Sequence, residues 1–289
     1  MQNDICFNVF TNENYFGINY VTIPQLIKNT KHLNVKINLI SNKFPEHERF
    51  EGVNYIESNI PFDGSGKHFR DTMLYALDSI EEKYIFFLCD DYVFRSPVKE
   101  KTFNSITSIL DKTNSDFLSL STQKHMGAFI SKWDKIDLDI TNYGYPSNCF
   151  YYMPDEYCHM YSVQPCVWKK ESLIELLKQN EGLSLHDLDN LNIVNKKNER
   201  RERNPAILFY HEKPEFFDYG FKNIGIYLDP LGFNADEREP NTDYLIIDYC
   251  EVIRHGRIME PDTNSKSYFL NLIETDEYKN IKDKLNKFF

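Results

Sequence analysis

The stretch Tyr84-Ile85-Phe86-Phe87-Leu88-Cys89-Asp90-Asp91-Tyr92-Val93-Phe94 decides how the chain is read. An apolar run of strand length stops at two adjacent carboxylates, and hydrophobic residues then resume. The run is too short to span a bilayer and suits a strand buried on both faces. Such strands belong to mostly parallel α/β sheets, whose ligands bind in the crevice beyond the strands' carboxyl ends. Asp90 and Asp91 are therefore expected at that rim. Neighbouring carboxylates repel unless a cation or hydrogen-bond donors compensate, and their hard oxygens suit Mg²⁺ or Mn²⁺. The strand and its Asp-Asp end read as a metal site for a phosphorylated ligand, or else as a strand closing in a solvated acidic turn.

Working outward, Ile5–Phe10 is a short apolar strand followed by the polar turn Thr11-Asn12-Glu13-Asn14. Tyr20–Asn29 carries apolar residues at helical spacing, with Pro24 placed in its first turn. Val35–Ile40 and Val53–Ile56 are the next strands. This β-α-β alternation matches the nucleotide-binding half of a doubly wound sheet, where the loop after the first strand would cover a base. Thr11 and Asn12 are the polar candidates there, against the alternative of an ordinary turn.

Asp63-Gly64-Ser65-Gly66-Lys67-His68 lacks both the four-residue spacer and the Ser/Thr after Lys of a phosphate-binding P-loop, so it is not one. Phe69, Met73, Ala76, Leu77 and Ile80 keep one helical face apolar, so the glycines open a helix. Lys67 and Arg70 at its start could hold a phosphate or a sugar hydroxyl, or belong to a flexible surface turn. A helix over Thr102–Leu110, a strand over Asp116–Ser121, loop-rich residues 122–160, a strand-like Tyr161–Trp168 and a helix over Lys169–Gln179 follow. A further helix opens at Leu183–Asp189, Ile207–His211 and Tyr244–Ile247 are late strands, and residues 266–289 form a terminal helix.

The formal net charge of −11 argues against nucleic acid as a partner, which would require a basic face. The 22 Phe and 19 Tyr favour a core built from aromatics over a specialised cleft. Cys6, Cys89, Cys149, Cys158, Cys166 and Cys250 show no CxxC and no metal-ligand spacing, so they read as reduced residues of a cytoplasmic protein. No signal peptide or transmembrane helix is expected. The basic cluster 196–203 reads as a solvated loop, or as a contact for an anionic lipid or diphosphate. The terminal helix is amphipathic, able to dock on the domain or to touch the inner face of a membrane.

The strand ending Leu88-Cys89-Asp90-Asp91 resembles the Asp-x-Asp-type metal motif of GT-A glycosyltransferases. The preceding helix with Arg70, the segment Gln164-Pro165-Cys166-Val167-Trp168, the acidic His186-Asp187-Leu188-Asp189 and the late Val252-Ile253-Arg254-His255-Gly256-Arg257 are similar, in that order, to bacterial and viral surface-polysaccharide glycosyltransferases. Where that group is expected to carry Trp and Glu near the base, this chain has His186 and Asp189. The resemblance implies a GT-A-like, mixed and mostly parallel central sheet flanked by helices. It implies one catalytic domain over 1–262, with a nucleotide-sugar half (1–121) and an acceptor half (122–262), and a C-terminal helix over 263–289.

It further implies a Mn²⁺- or Mg²⁺-dependent, inverting transfer from a nucleotide-diphosphate sugar to a glycan or lipid-linked acceptor in polysaccharide biosynthesis. Asp91, with Asp90 and His255, would hold the metal, and Asp90 is also a candidate for the ribose. Thr11, Asn12, Lys67, Arg70 and Arg257 would meet the nucleotide. Asp189 or Asp187 would be the catalytic base, or simply cap a helix. Gln164 and Trp168 would shape the acceptor or sugar site, with a core position the alternative for Trp168. A sugar nucleotidyltransferase is disfavoured, because the loop after the first strand is neither glycine-rich nor basic. A non-catalytic nucleotide- or sugar-binding module would not need carboxylates at both positions.

Overall fold

A computed structural model describes residues 4–63, 67–113, 115–120, 150–152, 165–179, 225–228, 249–251, 253–254, 257–258 and 264–285. Its centre is a sheet in which strands β1 (Ile5–Phe10), β2 (Ile37–Ser41), β3 (Val53–Glu57), β4 (Tyr84–Cys89), β6 (Phe117–Ser119), β7 (Phe150–Tyr152), β8 (Cys166–Lys169) and β9 (Gly225–Leu228) lie in the order β3-β2-β1-β4-β8-β6-β9-β7. β3-β2-β1-β4 and the β6–β9 pair are parallel, whereas β8 runs antiparallel to both its neighbours and β7 antiparallel to β9. The mixed, mostly parallel α/β sheet expected from sequence is thus the one observed. β5 (Tyr92–Phe94) leaves this sheet after the Asp-Asp turn and pairs antiparallel with β10 (Tyr249–Glu251).

Strand alternation sorts β1 and β4 into two buried faces. On one face Phe7 packs on Phe86 at 4.6 Å between ring centroids and stacks on Phe103 at 5.4 Å, under α1 (Asn19–Thr30) and α3 (Glu100–Thr113). Ile23, Leu26, Ile106, Ile109 and Leu110 complete that layer. On the other face Phe10 stacks on Phe87 and meets Phe69 of α2 (Lys67–Ser79) edge-on. α4 (Lys170–Gln179) lies beside α2, and Lys170 Nζ donates to the carbonyl of Ile80, the residue that follows α2, at 2.6 Å.

Three asparagines interrupt the apolar pattern of β1, β2 and β3 at one register level. Asn54 Nδ2 donates to Asn38 Oδ1 at 2.9 Å, Asn38 Nδ2 to Asn8 Oδ1 at 2.8 Å, and Asn8 Nδ2 to the Cys6 carbonyl at 3.1 Å. Each amide that loses water gains a partner, so polar side chains are tolerated between apolar strands.

Pro24 lies further into α1 than the first turn, because the helix begins at Asn19 directly after a 3₁₀ turn at Phe16–Ile18. The C-terminal segment is not one helix. α5 (Asn264–Ile273) ends near Thr275, whose hydroxyl donates back to the Leu272 carbonyl at 2.7 Å, and α6 (Lys282–Leu285) follows a 3₁₀ turn. Its Phe269, Ile273, Tyr278 and Leu285 are buried with Ile18, Val21 and Val93, and Gln25 Nε2 donates to the Tyr278 hydroxyl at 2.9 Å. The segment therefore docks on α1 and the back of β5. Among the described residues no helix is long and apolar enough to cross a membrane. The expected helix at 183–189, the strands at 207–211 and 244–247, and the basic cluster 196–203 lie outside the described residues.

Candidate functional site

In the order β3-β2-β1-β4, the chain winds outward one way from β1 and returns on its other side at β4. The carboxyl ends of those two parallel strands form the switch point where open α/β sheets place ligands. Phe10 and Cys89 are in register. The ladder then runs one residue further, because the Asp90 amide donates to the Phe10 carbonyl at 3.1 Å and the Thr11 amide to the Ile40 carbonyl at 2.9 Å. Thr11 and Asp90 thereby become cross-strand neighbours at the rim.

Their side chains meet: the Thr11 hydroxyl donates to Asp90 Oδ2. Thr11 is only 3% exposed. Its hydroxyl serves Asp90, a role the sequence did not suggest. Asn12 is also engaged locally. Its Oδ1 accepts the Asn14 amide at 2.9 Å and its carbonyl accepts the Tyr15 amide at 3.0 Å, closing an Asx turn. The next loop locks onto this turn reciprocally, as the Glu13 amide donates to Asn42 Oδ1 and Asn42 Nδ2 to Glu13 Oε1, both at 3.1 Å.

Asp90 and Asp91 are half-buried, and Oδ1 of Asp91 is buried. Two adjacent carboxylates at a strand end form an oxygen donor set matched to a hard divalent cation. Among the described residues no group of three or more His, Cys, Asp or Glu side chains is arranged to hold a metal ion. His255, the expected third ligand, lies outside the described residues, as do Asp187, Asp189 and Gln164.

The strand after the turn governs what else comes near. In the β5–β10 ladder Tyr92 pairs with Glu251, Val93 with Cys250 and Phe94 with Tyr249. β10 therefore runs toward the Asp90-Asp91 end of β5. The chain continues into β11 (Ile253–Arg254) and β12 (Arg257–Ile258), where Arg254 and Arg257 are opposite one another in register. The late segment singled out from sequence is thus carried toward the acidic turn although some 160 residues separate them. Arg257 occupies a strand position in it.

Packing decides between the two readings of Trp168 and gives Arg70 a local partner. Trp168 is 0% exposed, opposite Ile85 and Phe117 in the middle of the sheet, with its ring 4.6 Å from that of Phe117. It is a core residue and lines no sugar site; the antiparallel run of β8 carries it away from the rim. Arg70 is 7% exposed, and its Nε and Nη2 donate to Asp71 Oδ1 at 3.0 and 2.8 Å. Lys67 is exposed at the start of α2. Beside it His68 Nδ1 lies 3.1 Å from Asp63 Oδ1, and Phe62 packs edge-on against the His68 ring. Cys6, Cys89 and Cys166 are free thiols; burial, chiefly, pushes the Cys6 thiol up to about 12, which makes it a poor nucleophile.

No protein-family model and no curated protein matches the chain. Several solved structures are similar to it in outline. A galactosyltransferase LgtC in complex with donor and acceptor sugar analogues shares 10% identity at a TM-score of 0.45, with 95% of this chain and 99% of that one covered. TarS of S. aureus shares 12% at 0.44, covering 98% of this chain and 42% of that one. The bifunctional glycosyltransferase WbbM shares 10% at 0.41, covering 98% and 52%. Likenesses this distant carry no argument about chemistry. The class that the fold defines is a doubly wound α/β protein with an acidic turn at its switch point, on the strand order and register given above.

Proposed function

We propose that the chain is a metal-dependent GT-A-type glycosyltransferase that moves a sugar from a nucleotide-diphosphate donor to a glycan or lipid-linked acceptor in surface-polysaccharide synthesis. The observation that carries this reading is the meeting of the Thr11 end of β1 with the Asp90-Asp91 end of β4, together with the register of β10 on β5, which runs toward that acidic end ahead of the arginine-bearing strands β11 and β12. Breaking the bond between the sugar and its diphosphate builds negative charge on the leaving group. Mn²⁺ or Mg²⁺ held by Asp91 and Asp90, with His255 as the third candidate ligand, would offset that charge.

The chain's own residues supply the rest. Arg254 and Arg257 are opposite in the register of β11 and β12, and Arg257 is a cationic candidate for the diphosphate. Lys67, at the start of α2, is a second cationic candidate for the diphosphate, while Arg70, bonded to Asp71, shapes that helix start. One carboxylate, Asp189 or Asp187, takes the proton of the acceptor hydroxyl as it attacks, which gives inversion at the anomeric carbon. Gln164, just before β8, would lie on the acceptor side. Residues 1–121 form the donor half and 122–262 the acceptor half. A membrane contact through residues 263–289 would have to use groups other than Phe269, Ile273, Tyr278 and Leu285, which are buried.

The test is turnover of UDP-, GDP- and dTDP-sugars with Mn²⁺ or Mg²⁺, read as nucleotide released. Metal-dependent release from one donor class supports the proposal. No release and no binding with any donor or metal contradicts it. Tight binding without turnover for any acceptor, together with an Asp189→Asn variant indistinguishable from the unsubstituted chain, would favour a non-catalytic nucleotide-binding module instead.

A further inference from the structure

We infer that Thr11 and Asn19 are positioning residues for Asp90, acting through a directed chain of buried hydrogen bonds that starts in the first turn of α1. The inference rests on the reading that the Asp90-Asp91 turn holds a divalent cation. Asn19 is 0% exposed, and its Nδ2 donates to Thr11 Oγ1 at 3.0 Å. Its Oδ1 lies 3.4 Å from the hydroxyl of Thr22, itself buried. An amide nitrogen can only donate, so the Thr11 oxygen is an acceptor toward Asn19. Its one proton is then directed at Asp90 Oδ2, the shorter of its two acceptor contacts; the other, the Asn12 carbonyl, is 3.5 Å away. The polarity of the chain is set end to end.

A hydroxyl that can only donate favours the ionised carboxylate and fixes its rotation. Asp90 has a backbone tie as well, through its amide to the Phe10 carbonyl. The carboxylate is thus held at both its main chain and its Oδ2 before any ligand arrives, which lowers the ordering cost of binding. Thr11 and Asp90 are 79 positions apart, so only the pairing of β1 with β4 brings them together.

The test is Mn²⁺ binding to the full chain, without nucleotide, followed by electron paramagnetic resonance, for the unsubstituted protein and for Thr11→Val, Thr11→Ser and Asn19→Leu. Melting temperatures are measured in parallel. Thr11→Val keeps the shape and removes the donor, so Mn²⁺ affinity is expected to fall about tenfold, the loss typical of one charge-assisted hydrogen bond. Thr11→Ser restores the hydroxyl and should restore affinity. Asn19→Leu should give a loss between the two, because the Thr11 hydroxyl then keeps its proton but loses the partner that aims it. A purely structural role would lower the melting temperature of Thr11→Val and leave its Mn²⁺ affinity unchanged, and that result overturns the inference. So does an equal loss in Thr11→Ser and Thr11→Val. Failure of the unsubstituted chain to bind Mn²⁺ would overturn the metal reading itself, and the inference with it.

Discussion

Tyr92 and Glu251 are opposite one another in the antiparallel ladder of β5 and β10, one residue beyond the Asp90-Asp91 turn. This register brings a segment near the end of the sequence to the acidic edge of the sheet. It also explains why the strand does not stop at the carboxylates: Tyr92, Val93 and Phe94 are buried, and Val93 packs against the docked C-terminal segment. The turn is held between two strands, β4 in the main sheet and β5 in the small one.

Trp168 should matter for stability and not for ligand binding. Trp168→Ala removes a fully buried ring packed on Phe117, at a cost of about 3–5 kcal/mol. Trp168→Phe should cost less and leave nucleotide affinity at the unsubstituted level. Urea unfolding and calorimetry on the two variants check both statements; a selective loss of affinity in Trp168→Phe would return the residue to the site.

The C-terminal segment should be part of the folded domain. Tyr278→Phe deletes the acceptor that meets Gln25 Nε2 at 2.9 Å, leaving a buried amide short of a partner, for a loss of about 1–3 kcal/mol. Leu285→Ala, in the same cluster, should lose about 2–4 kcal/mol. Thermal melts in which neither variant differs from the unsubstituted chain would show that the segment is not docked in solution.

Acid stability should depend on Glu82. Burial acts to raise its carboxyl pKa, but the hydrogen bond from the Lys36 ammonium at 2.7 Å, a backbone hydrogen bond and the Lys36 charge together outweigh it and hold the group below the usual range. A depressed folded-state pKa gives stability that is fully present above the unfolded value, near 4.3, and is lost as pH falls through the folded one. Lys36→Met should therefore destabilise the protein by about 1–2 kcal/mol at neutral pH and flatten its stability profile on the acid side below pH ~4. Chemical denaturation at several pH values measures the slope.

Inversion makes a stereochemical prediction. With a donor of known anomeric configuration, proton NMR of the first product should show the opposite configuration at the transferred sugar, and Asp189→Asn should lower kcat by about a hundredfold or more. If Asp187→Asn gives the loss and Asp189→Asn does not, Asp187 is the base.

Sequence was most informative where burial is continuous. Ile5–Phe10 is the strand read from sequence although Asn8 interrupts its apolar run, and β4 ends where the adjacent carboxylates predict. β2 begins at Ile37 and not at the Val35 expected from sequence, because Asn34 adopts a left-handed φ of 50° after α1 and pairing starts only beyond it. Pro24 lies beyond the first turn of α1, and the terminal segment is broken where one helix is expected, for a similar reason: the 3₁₀ turn at Phe16–Ile18 and the burial of Tyr278 depend on tertiary contacts. At the site, the Asp-Asp pair announced itself by charge at a strand end. The role of Thr11, the participation of Asn19 and the approach of β10 could not be read, because each depends on which strands become neighbours. Trp168 illustrates the converse: its type suits a sugar site, and only its place in the sheet shows it to be core.

The most direct measurement is calorimetric titration with UDP, GDP, dTDP and CMP, with and without Mn²⁺, of the unsubstituted chain and Asp91→Ala. One nucleotide diphosphate is expected to bind only when Mn²⁺ is present, and Asp91→Ala, while still folded, is expected to lose that binding. No nucleotide binding under any metal condition, or binding that survives Asp91→Ala unchanged, would contradict it and leave Asp90-Asp91 as a turn between two strands.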